Sequence, residues 1–245
     1  MAKAFWLHVG VIASSFAGTG CPNNSAKVDA ALDAKVDASI DATVDAGRCG
    51  ADYFLTGDLV DWDSTEANFR GVFPAVFSVD GEPARMDQTS PNGRFELCIV
   101  AAARTRLNVD APGTGDTGYV DAIFIADKSV TDAIGFVSTR SFRNARAAEF
   151  FTQQGIAGGY DATKAQLLVQ TVGTPRAVTI DRVASPVALD TNNVWAAGAA
   201  GSEVLFPNLD PAIATVNVGS SGTVLGAGAV PLVAGKLTFV TLVLQ

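Results

Sequence analysis

Beyond residue 49 the chain alternates between apolar and polar positions in short runs, the period-2 pattern of strands that bury one face. Turn residues separate these runs, and Asp80-Gly81 and Asn92-Gly93 are pairs typical of tight hairpins. The first five predicted strands are 53–60, 73–79, 94–100, 105–109 and 119–125. Short strands at this spacing indicate a β-sandwich.

A second group of predicted strands follows at 165–172, 176–180, 201–206, 213–218 and 236–244. The last run is apolar on both faces, which indicates a strand in the middle of a sheet or at a contact between sheets. Leu59 lies 34 residues before Gly93, and Leu167 lies 34 residues before Gly201. Duplication of one sandwich would give this interval, and chance explains it equally well.

Between the two groups, residues 142–154 have apolar positions at helical spacing. Ser141 is a suitable N-cap and Gly155 a suitable stop for this helix. The expected apolar stripe, which would pack on a sheet, consists of Phe142, Ala145, Ala148 and Phe151. A small basic cluster, expected to be solvated and to balance nearby acids, consists of Arg140, Arg143 and Arg146.

The N-terminus has a different pattern. Lys3 precedes an apolar run of about 14 residues, whereas a spanning helix needs about 20. A charged start, a short apolar middle and a small-residue end predict a secretory signal peptide at 1–20. The alternatives are an uncleaved anchor and a buried helix.

After Cys21 comes a tetrapeptide that is repeated five times from Val28 to Gly47 and carries an aspartate in every copy. In a helix these aspartates would lie near one another and repel. We therefore predict a disordered, extended linker over 21–48. Its composition resembles the Asp-Ala-rich linkers of envelope lipoproteins in Gram-negative bacteria.

The sequence Gly18-Thr19-Gly20-Cys21 resembles a bacterial lipobox, in which a small residue precedes a cysteine that is acylated, although the family usually has Leu or Val where Gly18 stands. This resemblance implies lipidation of Cys21. Cys49 and Cys98 then remain as a pair, and we predict a disulfide between them. If Cys21 is not lipidated, it leaves with the signal peptide or stays as an odd thiol.

One segment resembles a carboxypeptidase-regulatory-like domain, a small transthyretin-like sandwich. The matching residues are Gly57-x-Leu59-x-Asp61, the run 75–81, the run 92–97 with its Gly-Arg-Phe-x-Leu element, and Leu107-x-Val109. The resemblance implies an accessory, non-catalytic module with Phe95 and Leu97 in its core.

These observations predict an all-β fold: two small transthyretin-like or Ig-like sandwiches in tandem, joined by a short helical connector. The domains would be a signal peptide (1–20), a linker (21–48), a carboxypeptidase-regulatory-like sandwich (49–126), the connector (127–158) and a second sandwich (159–245).

Composition restricts the chemistry. Of the 245 residues, 17% are charged and 48% hydrophobic, and the net charge of −8 disfavours a nucleic-acid partner. The one histidine, His8, lies in the predicted signal peptide, which removes histidine triads, histidine bases and most zinc sites from the mature chain. Asp116-Thr117-Gly118 matches the short aspartic-protease signature, but no second copy exists, and we interpret it as a loop.

Two alternatives stay open. A glycosidase needs only two carboxylates, which the chain has in plenty. A Ca²⁺-dependent carbohydrate-binding module would use Asp58, Asp61 and Asp63 as oxygen ligands, although solvated loop acids are the simpler explanation. Trp62 and Trp195 are candidate sugar platforms, and core packing is the simpler role for both.

The sequence therefore favours a non-catalytic lipoprotein of the cell envelope, anchored to the outer membrane and facing away from the cytoplasm, with a structural, binding or adhesion role. We expect no catalytic residue, no cofactor and no bound metal. The expected partners are a membrane, through the lipid on Cys21, and a protein or polysaccharide. No nucleic acid is expected.

Overall fold

A computed structural model of the chain describes residues 49–65, 67–100, 104–219 and 222–245. The predicted signal peptide, the linker and Cys21 lie outside these residues. The first-half strands are β1 (Tyr53–Asp61), β2 (Val76–Val79), β3 (Glu82–Gln88), β4 (Arg94–Ile99), β5 (Arg104–Asp110), β6 (Ala122–Asp127) and β7 (Val137–Ser141). The second-half strands are β8 (Ala165–Val172), β9 (Val178–Ile180), β10 (Val187–Leu189), β11 (Trp195–Ala197), β12 (Glu203–Leu209), β13 (Ala212–Val218), β14 (Val224–Leu225), β15 (Gly228–Leu232) and β16 (Leu237–Leu244). The helices are α1 (Lys128–Ile134) and α2 (Asn144–Gln153).

The first sandwich packs the sheet β4-β1-β7 against the strands β6-β5-β2-β3. Strand β4 shows why the alternation is informative, because Phe95, Leu97 and Ile99 are buried and the residues between them are less so. Phe95 stacks on Phe77 of the facing sheet at 3.9 Å between ring centroids. Each such buried side chain stabilises the fold by about 1.5–3 kcal/mol.

The second sandwich packs the three-stranded sheet β15-β13-β9 against the strands β11-β10-β12-β8-β16. Its core holds alternate residues of these strands, among them Leu167, Val169, Val204 and Phe206. The all-β class and the sandwich packing predicted from the sequence are therefore confirmed.

The two sandwiches share a sheet. Strand β6 of the first pairs in parallel with β16 of the second, so that both belong to one ten-stranded sheet. All eight residues of β16 are buried, which confirms the central position predicted for 236–244. The division into separate domains at 49–126 and 159–245 stays a prediction. The pairing of β6 with β16 forms one sheet layer that runs through both segments.

The same strand connectivity occurs twice. β1 pairs antiparallel with β4 and parallel with β7, and β8 pairs antiparallel with β12 and parallel with β16. In the facing layers, the order β2-β5-β6 of the first sandwich matches the order β9-β13-β15 of the second. The second sandwich thus repeats the topology of the first.

The two 34-residue intervals do not join equivalent positions in the two sandwiches. Leu59 donates its backbone N–H to the carbonyl of Gly93 at 2.9 Å, so these two residues are adjacent. Leu167 instead lies opposite Phe206, five residues beyond Gly201. The strands of the two halves therefore correspond, but Leu59–Gly93 and Leu167–Gly201 are not equivalent residue pairs.

The connector contains a strand as well as helices. Residues 137–141 form β7, and Ser141 donates its hydroxyl to the Val120 carbonyl instead of capping a helix. Helix α2 begins at Asn144, two residues later than predicted, and Gly155 follows its end with φ of +63°. Its buried residues are Ala147, Phe150 and Phe151, so the predicted stripe was wrong at Ala145 and Ala148, which are exposed.

The predicted disulfide between Cys49 and Cys98 is present. It ties the segment before β1 to the end of β4, 49 residues further along the chain. A bond across a loop of this length restricts the unfolded chain and stabilises the fold by about 4 kcal/mol.

Replacing both cysteines, as in Cys49→Ser/Cys98→Ser, is expected to lower the free energy of unfolding by about 4 kcal/mol, because the loop is then unconstrained in the unfolded state. Urea unfolding followed by circular dichroism measures the change. Reduction of the wild-type protein should give the same loss, and no change on either treatment would contradict a stabilising bond.

Gly93, the glycine of the Gly-Arg-Phe-x-Leu element, gives a second prediction. Gly93 and Gly81 both have left-handed φ values, of +78° and +80°. A Cβ at Gly93 would lie 2.1 Å from the Leu59 carbonyl oxygen, whereas a Cβ at Gly81 has no neighbour within 4 Å. Gly81→Ala should cost about 1–2 kcal/mol from the backbone alone, and Gly93→Ala about 1–3 kcal/mol more, because β1 and β4 must separate. Equal losses in urea unfolding would show that the contact with Leu59 does not matter.

Candidate functional site

A cleft of about 660 Å³ lies where the two sandwiches and helix α2 meet. The segment after β1 supplies Trp62, Asp63, Ser64 and Thr65 to its lining. Strand β7 and helix α2 supply Arg140, Arg146 and Phe150, and the β10–β11 segment supplies Leu189, Asn193 and Trp195. The volume is within the range of small-molecule sites.

An aromatic cluster forms one wall of the cleft. Trp62 is buried and stacks on Trp195, with ring centroids 5.3 Å apart and planes inclined by 19°. Phe150 meets both indoles edge-on, at 5.0 Å from Trp62 and 5.3 Å from Trp195. Core packing is therefore the role of Trp62, whereas Trp195 is half-buried and lines the opening.

Arg140 and Glu203 form an ion pair that joins the two sandwiches behind the cleft. Arg140 Nε donates to Glu203 Oε1 at 2.8 Å, and Nη1 donates to the carbonyls of Trp62 and Ser64 at 3.0 and 3.2 Å. Glu203 is buried, and its Oε2 has no hydrogen-bond partner among the residues that the structure describes. Burial raises the pKa of Glu203, and the Arg140 guanidinium opposes this shift.

A second ion pair lies at the rim of the cleft. Arg146 Nε contacts both carboxylate oxygens of Asp63, at 3.0 and 2.9 Å, and Nη1 donates to Gln153 at 3.3 Å. Next to it, Asp61 accepts the Tyr119 hydroxyl at 2.6 Å and the backbone N–H of Asp63 at 3.0 Å. Asp63 is thus held by its own backbone as well as by Arg146.

The β10–β11 turn presents Asn193 to the cleft. Asp190 Oδ1 accepts the backbone N–H groups of Asn192 and Val194, both at 2.8 Å, and these bonds close the turn. The same backbone bonds, Val194 foremost, lower the pKa of Asp190. Asn193 sits between them with φ of +59°, a conformation that asparagine tolerates better than most residues.

The three aspartates of the alternative calcium site are not brought together in the described residues, and Asp61 is buried and not the solvated loop acid that was expected. Asp58 lies opposite Arg94 in the β1–β4 ladder and borders a different surface depression. Asp61 is bonded to Tyr119, and Asp63 to Arg146. Within the described ranges no group of three acidic, histidine or cysteine side chains converges on a point that could hold a metal ion.

The remaining candidates from the sequence are the Asp-Thr-Gly motif, a glycosidase carboxylate pair and the basic cluster. Asp116-Thr117-Gly118 lies in a loop with a short 3-10 turn over Gly115–Thr117, as interpreted from the sequence, with Asp116 and Thr117 exposed and Gly118 buried. Asp63, which lines the cleft, and Glu203 behind it are each bonded to an arginine, so neither is a free group opposite the other, as a glycosidase pair would be. In the basic cluster, Arg143 is exposed, whereas Arg140 and Arg146 are largely covered.

Sequence reasoning missed Glu203, Arg140 and Asn193 as site residues. The alternation of β12 does indicate that Glu203 is buried, because Glu203 and the buried Leu205 lie on the same face of the strand. A buried glutamate needs a hydrogen-bonding or charged partner. The signal for Asn193 is weaker, since Asn192-Asn193 reads only as a turn.

Comparison with known proteins adds little. No family model and no curated protein matches the chain. Among solved structures, the shaft pilin SpaA from Lactobacillus rhamnosus GG is 11% identical, with 78% of this chain and 97% of the pilin covered and a TM-score of 0.26. The TIE protein of Bacillus anthracis is 10% identical (78% and 34% covered, TM-score 0.24), and GBS52, the minor pilin of Streptococcus agalactiae, is 10% identical (78% and 96% covered, TM-score 0.22). Likeness this remote carries no argument about function.

None of the helices in the described part of the chain has the length and apolar character needed to cross a membrane.

The buried Glu203 gives a pH prediction. Its raised pKa means that, between the unfolded value near 4.5 and the higher folded value, the native state binds a proton that the unfolded state releases. Stability from this group is complete below that window and is lost as the pH rises through it. Compared with Glu203→Gln, the wild-type protein should therefore lose stability as the pH rises from below 4.5 through the raised pKa of Glu203.

Urea unfolding of both proteins at several pH values measures this difference. Carboxylates with lowered pKa values, such as Asp190, titrate in both proteins and cancel in the comparison. A pH-independent difference, or one of opposite sign, would show that the Glu203 carboxylate is not destabilised by its burial.

Proposed function

We propose that this chain is a non-catalytic binding protein of the cell envelope, held at the outer membrane by a lipid on Cys21 and displayed on the linker of residues 21–48. The observation that carries the binding role is the cleft beside Trp195, whose polar walls are held by the Arg140–Glu203 and Arg146–Asp63 pairs. Side chains fixed before a ligand arrives cost little entropy on binding.

Support for export comes from the cysteines. A disulfide persists in an oxidising compartment, and the Cys49–Cys98 bond is of this kind. The sequence has three cysteines, so Cys21 is the one left for a lipid. Its place after an apolar run and before the acidic repeat suits an anchor followed by a spacer.

The accessory role is part of the same proposal. In the segment that resembles a carboxypeptidase-regulatory-like domain, Gly93 makes the turn, and Phe95 and Leu97 point into the core. These are the positions on which the resemblance depends. We assign the first sandwich to this class of module, with no chemistry of its own.

Labelling tests the anchor. The full chain, expressed in a Gram-negative host with a clickable palmitate analogue, should take up the label and enter the detergent phase on Triton X-114 partition. Cys21→Ser should abolish both, because the thiol that carries the lipid is gone.

Cys49→Ser is the matched control and should keep the label, since it removes a thiol of the disulfide. Unlabelled wild-type protein in the aqueous phase, or a Cys21→Ser variant that is still labelled, would rule out this anchor.

A further inference from the structure

We infer that the cleft beside Trp195 binds an uncharged saccharide, with the indole under one sugar ring and the paired polar side chains and Asn193 on its hydroxyls. The inference rests on the proposed binding role and deepens it by naming the ligand class. It requires no metal ion.

The charges of the cleft favour a neutral ligand. Both cations that line it are already paired, Arg140 with Glu203 at 2.8 Å and Arg146 with Asp63 at 2.9 Å. A site for phosphate or carboxylate needs an arginine whose charge is not yet compensated. Asp63 and Arg146 offer an acceptor and donors side by side at the cleft, and Arg140 adds donors whose charge is compensated from behind, which matches sugar hydroxyls, since each hydroxyl both donates and accepts.

Donor capacity remains in both arginines. Arg140 uses Nε and Nη1 in its three bonds, and Arg146 uses Nε and Nη1 in its own. Within the described residues, the Nη2 group of neither arginine donates a hydrogen bond. Both side chains keep about a quarter of their surface exposed, 28% for Arg140 and 25% for Arg146, and both line the cleft. Two fixed guanidinium edges therefore remain for ligand oxygens.

The aromatic wall suits the apolar face of a sugar ring. Trp195 is held from behind by Trp62 and from the side by Phe150, so its orientation is fixed. It lies on β11, an edge strand of which the other two residues are exposed. An indole that is rigid and still half-accessible gives a ring a large contact at low entropic cost.

Asparagine suits the left-handed backbone at position 193, but its amide group is not needed to close the turn. Its backbone N–H bonds to the Asp190 carbonyl at 3.1 Å, but no hydrogen bond of its amide group is found in the described part of the protein. At φ of +59° glycine would serve the turn as well or better. The exposed amide at the rim of the cleft is therefore available to a ligand with paired donors and acceptors.

Fluorescence tests the inference. The exported protein, purified in detergent, has Trp62 and Trp195 as its tryptophans once the predicted signal peptide with Trp6 is removed, and Trp6→Phe gives the same pair if the signal is retained, so that emission reports on the cleft. The probes are cello-, malto-, manno- and N-acetylchito-pentaose as neutral ligands, and a pentagalacturonate as the acidic one. At least one neutral probe should give a saturable change at concentrations up to 10 mM, and the acidic probe should bind at least tenfold more weakly.

Two variants place the ligand. Asn193→Gly should weaken binding about fivefold through loss of the amide, without loss of stability. Trp195→Phe should weaken it at least about fivefold, because the ring face is smaller. Asn192→Gly, in the same turn but outside the cleft, is the matched control and should change affinity less than twofold.

Four results would overturn the inference: no saturable response to any neutral probe, preferential binding of the acidic probe, unchanged affinity in Asn193→Gly and Trp195→Phe, or an equal loss in Asn192→Gly. The anchor is tested separately. Acylated protein that binds none of the sugars refutes the ligand class alone, and protein that binds a sugar without a lipid on Cys21 refutes the anchor alone.

Discussion

The parallel pairing of β6 with β16 is the contact on which the rest of the architecture depends. It aligns Ala122–Ile125 with Leu237–Val240 and makes one layer out of strands from both sandwiches. Phe124 then lies between Phe95 of the first sandwich and Phe239 of β16, at 6.4 and 5.7 Å. Ile123 and Ile125, on the opposite face of the same strand, enter the second core. Strands buried on both faces are largely apolar, as β6 and β16 are. The two buried threonines of β16 are bonded, because Thr238 donates its hydroxyl to a backbone carbonyl and Thr241 to a side-chain amide oxygen.

The cleft follows from this junction. Strand β7 leaves the first sandwich beside the start of β12, and so Arg140 comes within reach of Glu203. The chain from β7 into α2 then covers the face of the shared sheet that carries Leu168 and Leu205, with Phe142, Phe150 and Phe151 as the covering residues. The helical connector is thus part of the core, and the site lies where it meets the edge strand β11.

The local sequence was sufficient to predict the features that neighbouring residues determine. Alternation placed most strands, Gly93 marked a turn with a left-handed backbone, and the cysteine count paired Cys49 with Cys98. It was insufficient where a residue's role depends on a distant segment. Glu203 and Arg140 are 63 positions apart, and the sequence around either residue does not indicate its partner. The alternative calcium site shows the same limit, because the partners of its three aspartates come from distant segments: Arg94 of β4, Tyr119, and Arg146 of α2.

The shared sheet ends on β3 at one side and on β11 at the other. Strand β3 is largely exposed and carries Glu82, Pro83, Arg85 and Asp87, while β11 is only three residues long. Charges, a proline and a short terminal strand all discourage strand addition from another molecule. Both margins of the shared sheet are therefore protected against edge-to-edge pairing with a second copy of the chain, the route by which sheets grow into fibres.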